Sequence, residues 1–265
     1  MNAMIQKALR QWGLHNIQAV YERDQAGIWF CESEQFGPVV LKWNSTGLLD
    51  SEYRMLSCMQ GRGGYRVYGY DRDRGLLLEE RILPGTVLRE ESLLEKRVEV
   101  LARVFREIHL PQREGETYLD WLDGACAFCI AHEVPGELPR MARKARDVCA
   151  GLFEKYPERV LLHGDLHHDN LLRRADGSYA VIDPKGVIGP EILDLPRFLL
   201  NEADLGDAPA HMERAIALVS QACGYPEKDL RQALFMEAVL ANVWCVEDGM
   251  PVRDRWMEQL ETALQ

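Results

Sequence analysis

His163-Gly164-Asp165-Leu166-His167-His168-Asp169-Asn170 places six polar side chains in eight positions, between the apolar runs Val160-Leu161-Leu162 and Leu171-Leu172. So dense a group of titratable and amide side chains at a strand end is the pattern of a site, because a structural turn needs far less. Beyond the turn residues Asp176-Gly177, a second short strand, Val181-Ile182, ends in another carboxylate, Asp183. Three side chains are thereby placed to converge: Asp165, Asn170 and Asp183. An Asn and an Asp are hard oxygen donors that suit Mg²⁺, with water and phosphate filling the other positions. A further carboxylate able to accept a hydroxyl proton completes the parts for phosphoryl transfer.

The spacing agrees with that chemistry. Asn170 stands five residues after Asp165, and Asp183 thirteen after Asn170, as in the kinase pattern of a catalytic Asp, a metal-binding Asn and a second metal-binding Asp after a short hairpin. The upstream parts occur in the matching order. Lys42 lies in the apolar run Val39-Val40-Leu41-Lys42-Trp43, where a buried ammonium needs an anionic partner such as a phosphate. Glu52, in the next helical segment, is placed to hold that amine. Alone, a strand Lys is more often a snorkelling surface residue and a helix Glu a solvated one; the ordered set carries the functional reading.

Outward from these motifs the texture changes once, near residue 84. Before it, apolar runs at 17–21, 27–31, 39–43, 65–70 and 76–82 read as strands around one helix at 49–59. After Pro84-Gly85 the period becomes helical: Leu94, Val98, Leu101, Val104, Phe105 and Ile108 recur close to every 3.6 residues. Further helices are expected at 118–132, 137–156, 190–204, 208–223, 227–247 and 252–264. The expected class is α+β, with a nucleotide-binding N-terminal region at 1–83 and a helical region at 84–265 that carries the loop and the substrate site.

Composition narrows the partners. With 31 Lys and Arg against 42 Asp and Glu, the chain carries a net charge of −11, which disfavours nucleic acid and anionic membrane as partners. Residues 186–265 hold 14 of the acidic residues and 6 of the basic ones, which raises the prospect of a cationic small molecule docking there. The seven cysteines are scattered, and Cys126 and Cys129, at CxxC spacing within an apolar run, read as core packing in a reduced, cytoplasmic protein. No run approaches the length of a membrane helix. The expected assembly is a monomer or a weak homodimer.

The loop at His163–His167 with Asn170, followed by Ile182-Asp183 and Asp194-Leu195, resembles the aminoglycoside phosphotransferase family over essentially the whole chain. Asp183-Pro184-Lys185-Gly186 with Gly189-Pro190 and Asp194 is most similar to its streptomycin and hydroxyurea kinase branch. The resemblance implies a bilobal, protein-kinase-like fold, a small antiparallel sheet with one helix followed by a mainly helical lobe. ATP and Mg²⁺ are the implied cofactors. Leu76-Leu77-Leu78-Glu79-Glu80-Arg81-Ile82 resembles the hinge, so that adenine would pair with the Glu80 carbonyl and the Ile82 amide. Lys42, held by Glu52, would bind the α- and β-phosphates, Asn170 and Asp183 the metal, and Asp165 would orient the acceptor hydroxyl and take its proton. His163 would brace the loop and Asp194 anchor it. A departure from the kinase pattern is the first strand turn, which has Gly27 alone in place of a glycine-rich loop.

The expected acceptor is an aminoglycoside-like, cationic small molecule, contacted by Asp165 and His167 and by carboxylates from among Glu202, Asp204, Glu247 and Asp248; antibiotic resistance is the implied role. A metabolic kinase of an amino alcohol or sugar amine is the alternative. A two-metal hydrolase built on His163, Asp165, His167, His168 and Asp169 is a third reading, but it leaves Lys42, Glu52 and the hinge without a purpose. A non-catalytic kinase-like binding module is opposed by the intact set Lys42, Asp165, Asn170 and Asp183.

Overall fold

A computed structural model describes residues 3–59, 62, 64–203, 205, 209–252, 257 and 260–262. Its elements run α1 (Ala3–Gln11), β1 (Leu14–Arg23), β2 (Ala26–Ser33), β3 (Gly37–Asn44), α2 (Leu48–Met59), β4 (Val67–Asp71), β5 (Leu76–Glu80), β6 (Pro84–Val87), α3 (Leu94–Ile108) and β7 (Leu110–Pro111). They continue with α4 (Tyr118–Ala131), α5 (Leu138–Lys155), β8 (Val160–Leu162), β9 (Leu171–Arg174), β10 (Tyr179–Val181), β11 (Val187–Gly189), α6 (Pro196–Glu202), α7 (Pro209–Cys223) and α8 (Glu227–Glu247). Among the described residues, no helix is long and apolar enough to cross a membrane.

By its contacts the chain divides into Met1–Glu90 with Asp169–Gly186, and Glu91–His168 with Val187–Gln265. The expected single boundary at residue 84 is therefore replaced by three crossings. The cause is strand pairing: β9 pairs antiparallel with both β6 and β10, and those backbone bonds tie the segment around Asn170 and Asp183 to the first unit.

In the first unit five antiparallel strands lie in the order β1-β2-β3-β5-β4. Period-two alternation gives the central strands two different faces. Trp29, Cys31, Val39, Leu41, Leu76 and Leu78 pack on one side with Ile5, Ala8 and Leu9 of α1. Ile28, Phe30, Val40 and Lys42 alternate with them and take the other face. Strand β4 starts at Val67 rather than at 65, because Tyr65 leaves the ladder and packs with Leu49, Leu56 and Leu77.

In the second unit the apolar stripe foreseen on α3 is buried from Leu94 to Ile108. Helix α8 buries Leu234, Phe235, Val239 and Val243 completely. The helix expected at 190–204 is interrupted: a 3-10 turn covers Glu191–Asp194, and α6 begins at Pro196, whose missing N–H suits a first helical position. Cys126 and Cys129 sit one turn apart on α4, and all seven cysteines are free. Much of the expected 252–264 helix lies outside the described residues.

Candidate active site

The first unit supplies a buried charge cluster on the inner sheet face. Strand register builds it: Lys42 of β3 stands opposite Leu77 of β5, and Val40 opposite Glu79, so Glu79 is the diagonal same-face neighbour of Lys42. The Lys42 Nζ donates to Glu52 Oε1 of α2 at 2.5 Å and to Asp183 Oδ1, and lies 3.2 Å from Glu79 Oε2. Burial alone would lower the Lys42 ammonium, but Glu79, Glu52 and Asp183 outweigh it and hold the group well above its ordinary value. Tyr65 closes the cluster, its hydroxyl 3.0 Å from Glu52 Oε1 and 2.8 Å from Glu79 Oε1. Glu79 and Tyr65 had no role in the sequence reading; the signal was an acid inside an apolar strand, Leu76-Leu77-Leu78-Glu79.

Lys42, Glu79 and Asp183 wall a cavity of about 290 Å³ whose other sides are Ile28, Phe30, Val40, Glu80, Ile82, Leu172 and Ile182. An apolar slot with a few convergent charged groups at one end has the make-up of a site for a flat aromatic ring carrying an anionic tail. Glu80 and Ile82, the residues expected to meet adenine, both line it. The Glu80 side chain is turned to Arg174, 2.6 Å from Nη1; burial would raise its carboxyl, but Arg174 and the Arg66 amide outweigh that and lower it.

Asn170 and Asp183 are brought side by side by the backbone. The Ile182 amide donates to the Asn170 carbonyl at 2.9 Å. Asp183 then takes φ 57°, in the left-handed region that Asp tolerates better than most residues and where strain gathers at functional positions. The pair fits Mg²⁺ by donor chemistry, two hard oxygens that leave the remaining positions to water and phosphate. Among the described residues no group of three or more His, Cys, Asp or Glu could hold a metal by itself.

The second unit supplies the polar loop up to His168. Asp194 anchors it: its Oδ2 accepts from the His163 amide at 2.8 Å and its Oδ1 from the Gly164 amide at 2.7 Å. His109 Nε2 lies 2.8 Å from the same Oδ2. His163 Nδ1 accepts from the Asp165 amide at 3.1 Å, which is the bracing role expected of it. Gly164, at φ 76°, makes the turn that a side chain would resist.

Asp165 and His167 face a cavity of about 490 Å³ lined also by Arg197, Leu200, Asn201, Ala238, Asn242 and Cys245. Arg197 Nε donates to Asp165 Oδ1 at 2.8 Å, a contact absent from the sequence reading.

The acidic candidates divide. Glu202 is fully buried; Arg97 grips both its oxygens at 2.6 and 2.7 Å, His168 lies 2.7 Å from Oε1 and His211 2.9 Å from Oε2. Its carboxylate thus organises the loop from behind and has no face for an acceptor, which corrects its expected contact role. Glu247 and Asp248 are exposed at the end of α8 and outside the lining of the cavity. Asp204 lies outside the described residues. Among the described residues of 186–265 several acids are paired: Asp194 with His109, Glu213 with Arg231, Asp229 with Lys155, Glu237 with Arg197 and Glu261 with Arg140. Two members of the alternative hydrolase cluster are engaged elsewhere, His168 with Glu202 and Asp169 with Arg89, each 2.7 Å away.

A family model described as aminoglycoside/hydroxyurea antibiotic resistance kinase matches residues 12–249. A streptomycin 3''-kinase of Klebsiella pneumoniae is 26% identical over 226 residues, covering 80% of this chain and 81% of that protein. A hydroxyurea phosphotransferase of Kitasatospora aureofaciens is 29% identical over 207 residues, 73% of this chain and 58% of the relative. Among solved structures, a thermostable mutant of aminoglycoside phosphotransferase APH(4)-Ia in ternary complex with AMP-PNP and hygromycin B superposes with a TM-score of 0.69. That likeness covers 98% of this chain and 96% of the other at 15% identity, and it is a likeness of fold.

Proposed function

The chain belongs to the aminoglycoside/hydroxyurea antibiotic resistance kinase family and is an ATP-dependent phosphotransferase of kinase-like fold; on that premise we propose that it transfers the γ-phosphoryl group of ATP to a hydroxyl of a small molecule held at Asp165. The observation that carries the reading is the convergence on one Lys42 ammonium of Glu52 and Asp183, the latter 141 residues away in sequence. Lys42, oriented by Glu52, would bind the α- and β-phosphates, with adenine against the apolar wall by Glu80 and Ile82. Asn170 and Asp183 would hold Mg²⁺, which when bound neutralises charge on the phosphate oxygens. Asp165 would orient the acceptor hydroxyl and take its proton as the new O–P bond forms and the bond to ADP breaks. Positioning and charge neutralisation supply most of the rate in such transfers.

For the acceptor, a streptomycin-type aminoglycoside is one class, supported by the Klebsiella relative, and a resistance role goes with it. A second class is supported by the way the acidic residues are used. Four described carboxylates of 186–265, Asp194, Glu202, Asp229 and Glu237, are buried against partners, and the cavity at Asp165 sets one Asp beside one Arg. Such a cavity suits an acceptor of little net charge, such as a small hydroxylated amide, an amino alcohol or a sugar amine.

The test is a phosphorylation screen with Mg²⁺–ATP over streptomycin, other aminoglycosides, hydroxyurea, choline-like alcohols and sugar amines, read as a mass gain of one phosphate. Asp165→Ala is expected to abolish the gain while nucleotide binding by calorimetry persists. Near-wild-type turnover by that variant would overturn the assignment.

A further inference from the structure

The geometry points to Arg197 as a positioning residue for phosphoryl transfer, one that fixes the catalytic carboxylate of Asp165 from the wall of the acceptor cavity. The inference rests on the reading of Asp165 as the proton acceptor and deepens it.

Arg197 is the second residue of α6, and three contacts from other segments fix its guanidinium. Nε donates to Asp165 Oδ1 at 2.8 Å. Nη1 lies 3.0 Å from Glu237 Oε1 of α8. The guanidinium carbon stands 5.8 Å from the centroid of the Trp244 ring, also of α8. Glu237 is itself held, because the Tyr118 hydroxyl of α4 donates to its Oε2, and both side chains are sealed at 1% exposure. A relay therefore runs Tyr118–Glu237–Arg197–Asp165, rigid at its buried end and open at the other.

The open end distinguishes this chain of contacts from a stabilising ion pair. The side chains of Arg197 and Asp165 keep 22% and 16% of their surface and line the same cavity of about 490 Å³. A carboxylate with a fixed oxygen presents a fixed direction to an incoming hydroxyl. A rigid planar fork can bridge two carboxylates at once, which a lysine ammonium does less well. Loss of that direction is a misalignment of the reacting atoms, and an error of about 1 Å costs on the order of 100-fold in rate.

The test uses the full chain, the acceptor found by the screen above and the variants Arg197→Met, Arg197→Lys, Asp165→Asn and the double variant Arg197→Met/Asp165→Asn. Arg197→Met is expected to lower kcat about 100-fold, with KM for ATP and Mg²⁺–ATP binding within about twofold of wild type. Arg197→Lys restores part of that loss. In the Asp165→Asn background the Met substitution has no further effect on kcat, since residues acting as a unit are not additive. A wild-type kcat for Arg197→Met, or losses that multiply in the double variant, would overturn the inference. Thermal melting accompanies each variant. If Arg197→Met melts below the assay temperature, Arg197→Lys decides alone: a lower kcat at unchanged KM for ATP supports the inference and an unchanged kcat overturns it. If no acceptor is phosphorylated, the same comparison is made on slow release of phosphate from ATP to water. Equal rates for Asp165→Asn and wild type there overturn the function and this inference together. A rate that falls with Asp165→Asn but not with Arg197→Met overturns only the inference.

Discussion

Tyr65 has one hydroxyl proton and two carboxylates to serve. Its oxygen lies 3.0 Å from Glu52 Oε1 and 2.8 Å from Glu79 Oε1, so the one hydroxyl is shared between the two acids. Burial pushes the Glu79 carboxyl well above the ordinary range, further than the neighbouring Lys42 ammonium lowers it. The linkage follows. An unfolded Glu releases its proton at about pH 4.3, and the folded protein keeps it to a higher pH. The stability tied to Glu79 is thus fully present below about pH 4.3 and is lost as pH rises toward the folded value. Gln is the isostere of the protonated acid and does not titrate. Glu79→Gln is expected to stay within about 1 kcal/mol of wild type at mildly acidic pH and to gain on it as pH rises, while Glu79→Ala costs about 1–3 kcal/mol. Urea unfolding of the three proteins at pH 5 and pH 8 checks this; a wild-type stability that rises in parallel with Glu79→Gln would refute the raised carboxyl. The partner of each acid was not legible in the sequence, where Glu80 entered only by its backbone carbonyl and Glu79 had no role. Alternation turns one toward Lys42 and the other toward Arg174.

Helix α6 does its work through both ends. Its first turn presents Arg197 to the loop, and its last residue, Glu202, ties α3 and α7 to His168 through Arg97 and His211. Burial would raise the Glu202 carboxyl, but the bonds from His168, Arg97 and His211 outweigh it and hold the group at about 2. A depressed carboxyl stabilises above its unfolded value, about 4.3, and the contribution is lost as pH falls through about 2. Glu202→Gln leaves a buried guanidinium without its anion and is expected to cost about 3–5 kcal/mol at pH 7. It should also flatten the acid loss of stability between those two values. Denaturant unfolding across that range measures both, and a cost under about 1 kcal/mol would mean the network is solvent-screened. The sequence offered Glu202 as an acceptor contact because exposure is not written in a chain; the neighbouring apolar residues Phe198 and Leu199, both fully buried, were the available hint that this helix faces inward.

At the scale of the molecule, the first unit is assembled from residues 1–90 and 169–186, so nucleotide binding at Lys42 as proposed should report on a discontinuous stretch of chain. A ligand that binds only the folded form stabilises it by about 2.7 kcal/mol at 100 times its Kd. Mg²⁺–ATP is expected to shift unfolding of the wild type by that amount, and ATP with a chelator by less, since Asn170 and Asp183 then lack the ion that links them to phosphate. Lys42→Met should lose most of the shift. An equal shift in Lys42→Met and wild type would remove Lys42 from the phosphate site. The net charge of −11 has a different meaning at this scale from the one its distribution suggested. Asp194, Glu202, Asp229 and Glu237 are buried against partners, so these four acids brace helices and offer no docking face.

What the sequence determined by itself was local: the spacing of Asp165, Asn170 and Asp183, the alternation that buries Lys42, the α3 period, and with them the α+β kinase-like class. These depend on neighbours a few residues apart or on the order of motifs, both of which a chain displays directly. Only the tertiary structure decided which acids are spent on structure, why 169–186 joins the first unit, that Glu79 and Tyr65 join Lys42 and Glu52, and that Arg197 links Asp165 to Glu237. The reason is that burial and side-chain pairing are set by strand register and helix packing across 30 to 140 residues, as between Asp165 and Arg197 or Lys42 and Asp183, and no local pattern encodes a partner at that distance.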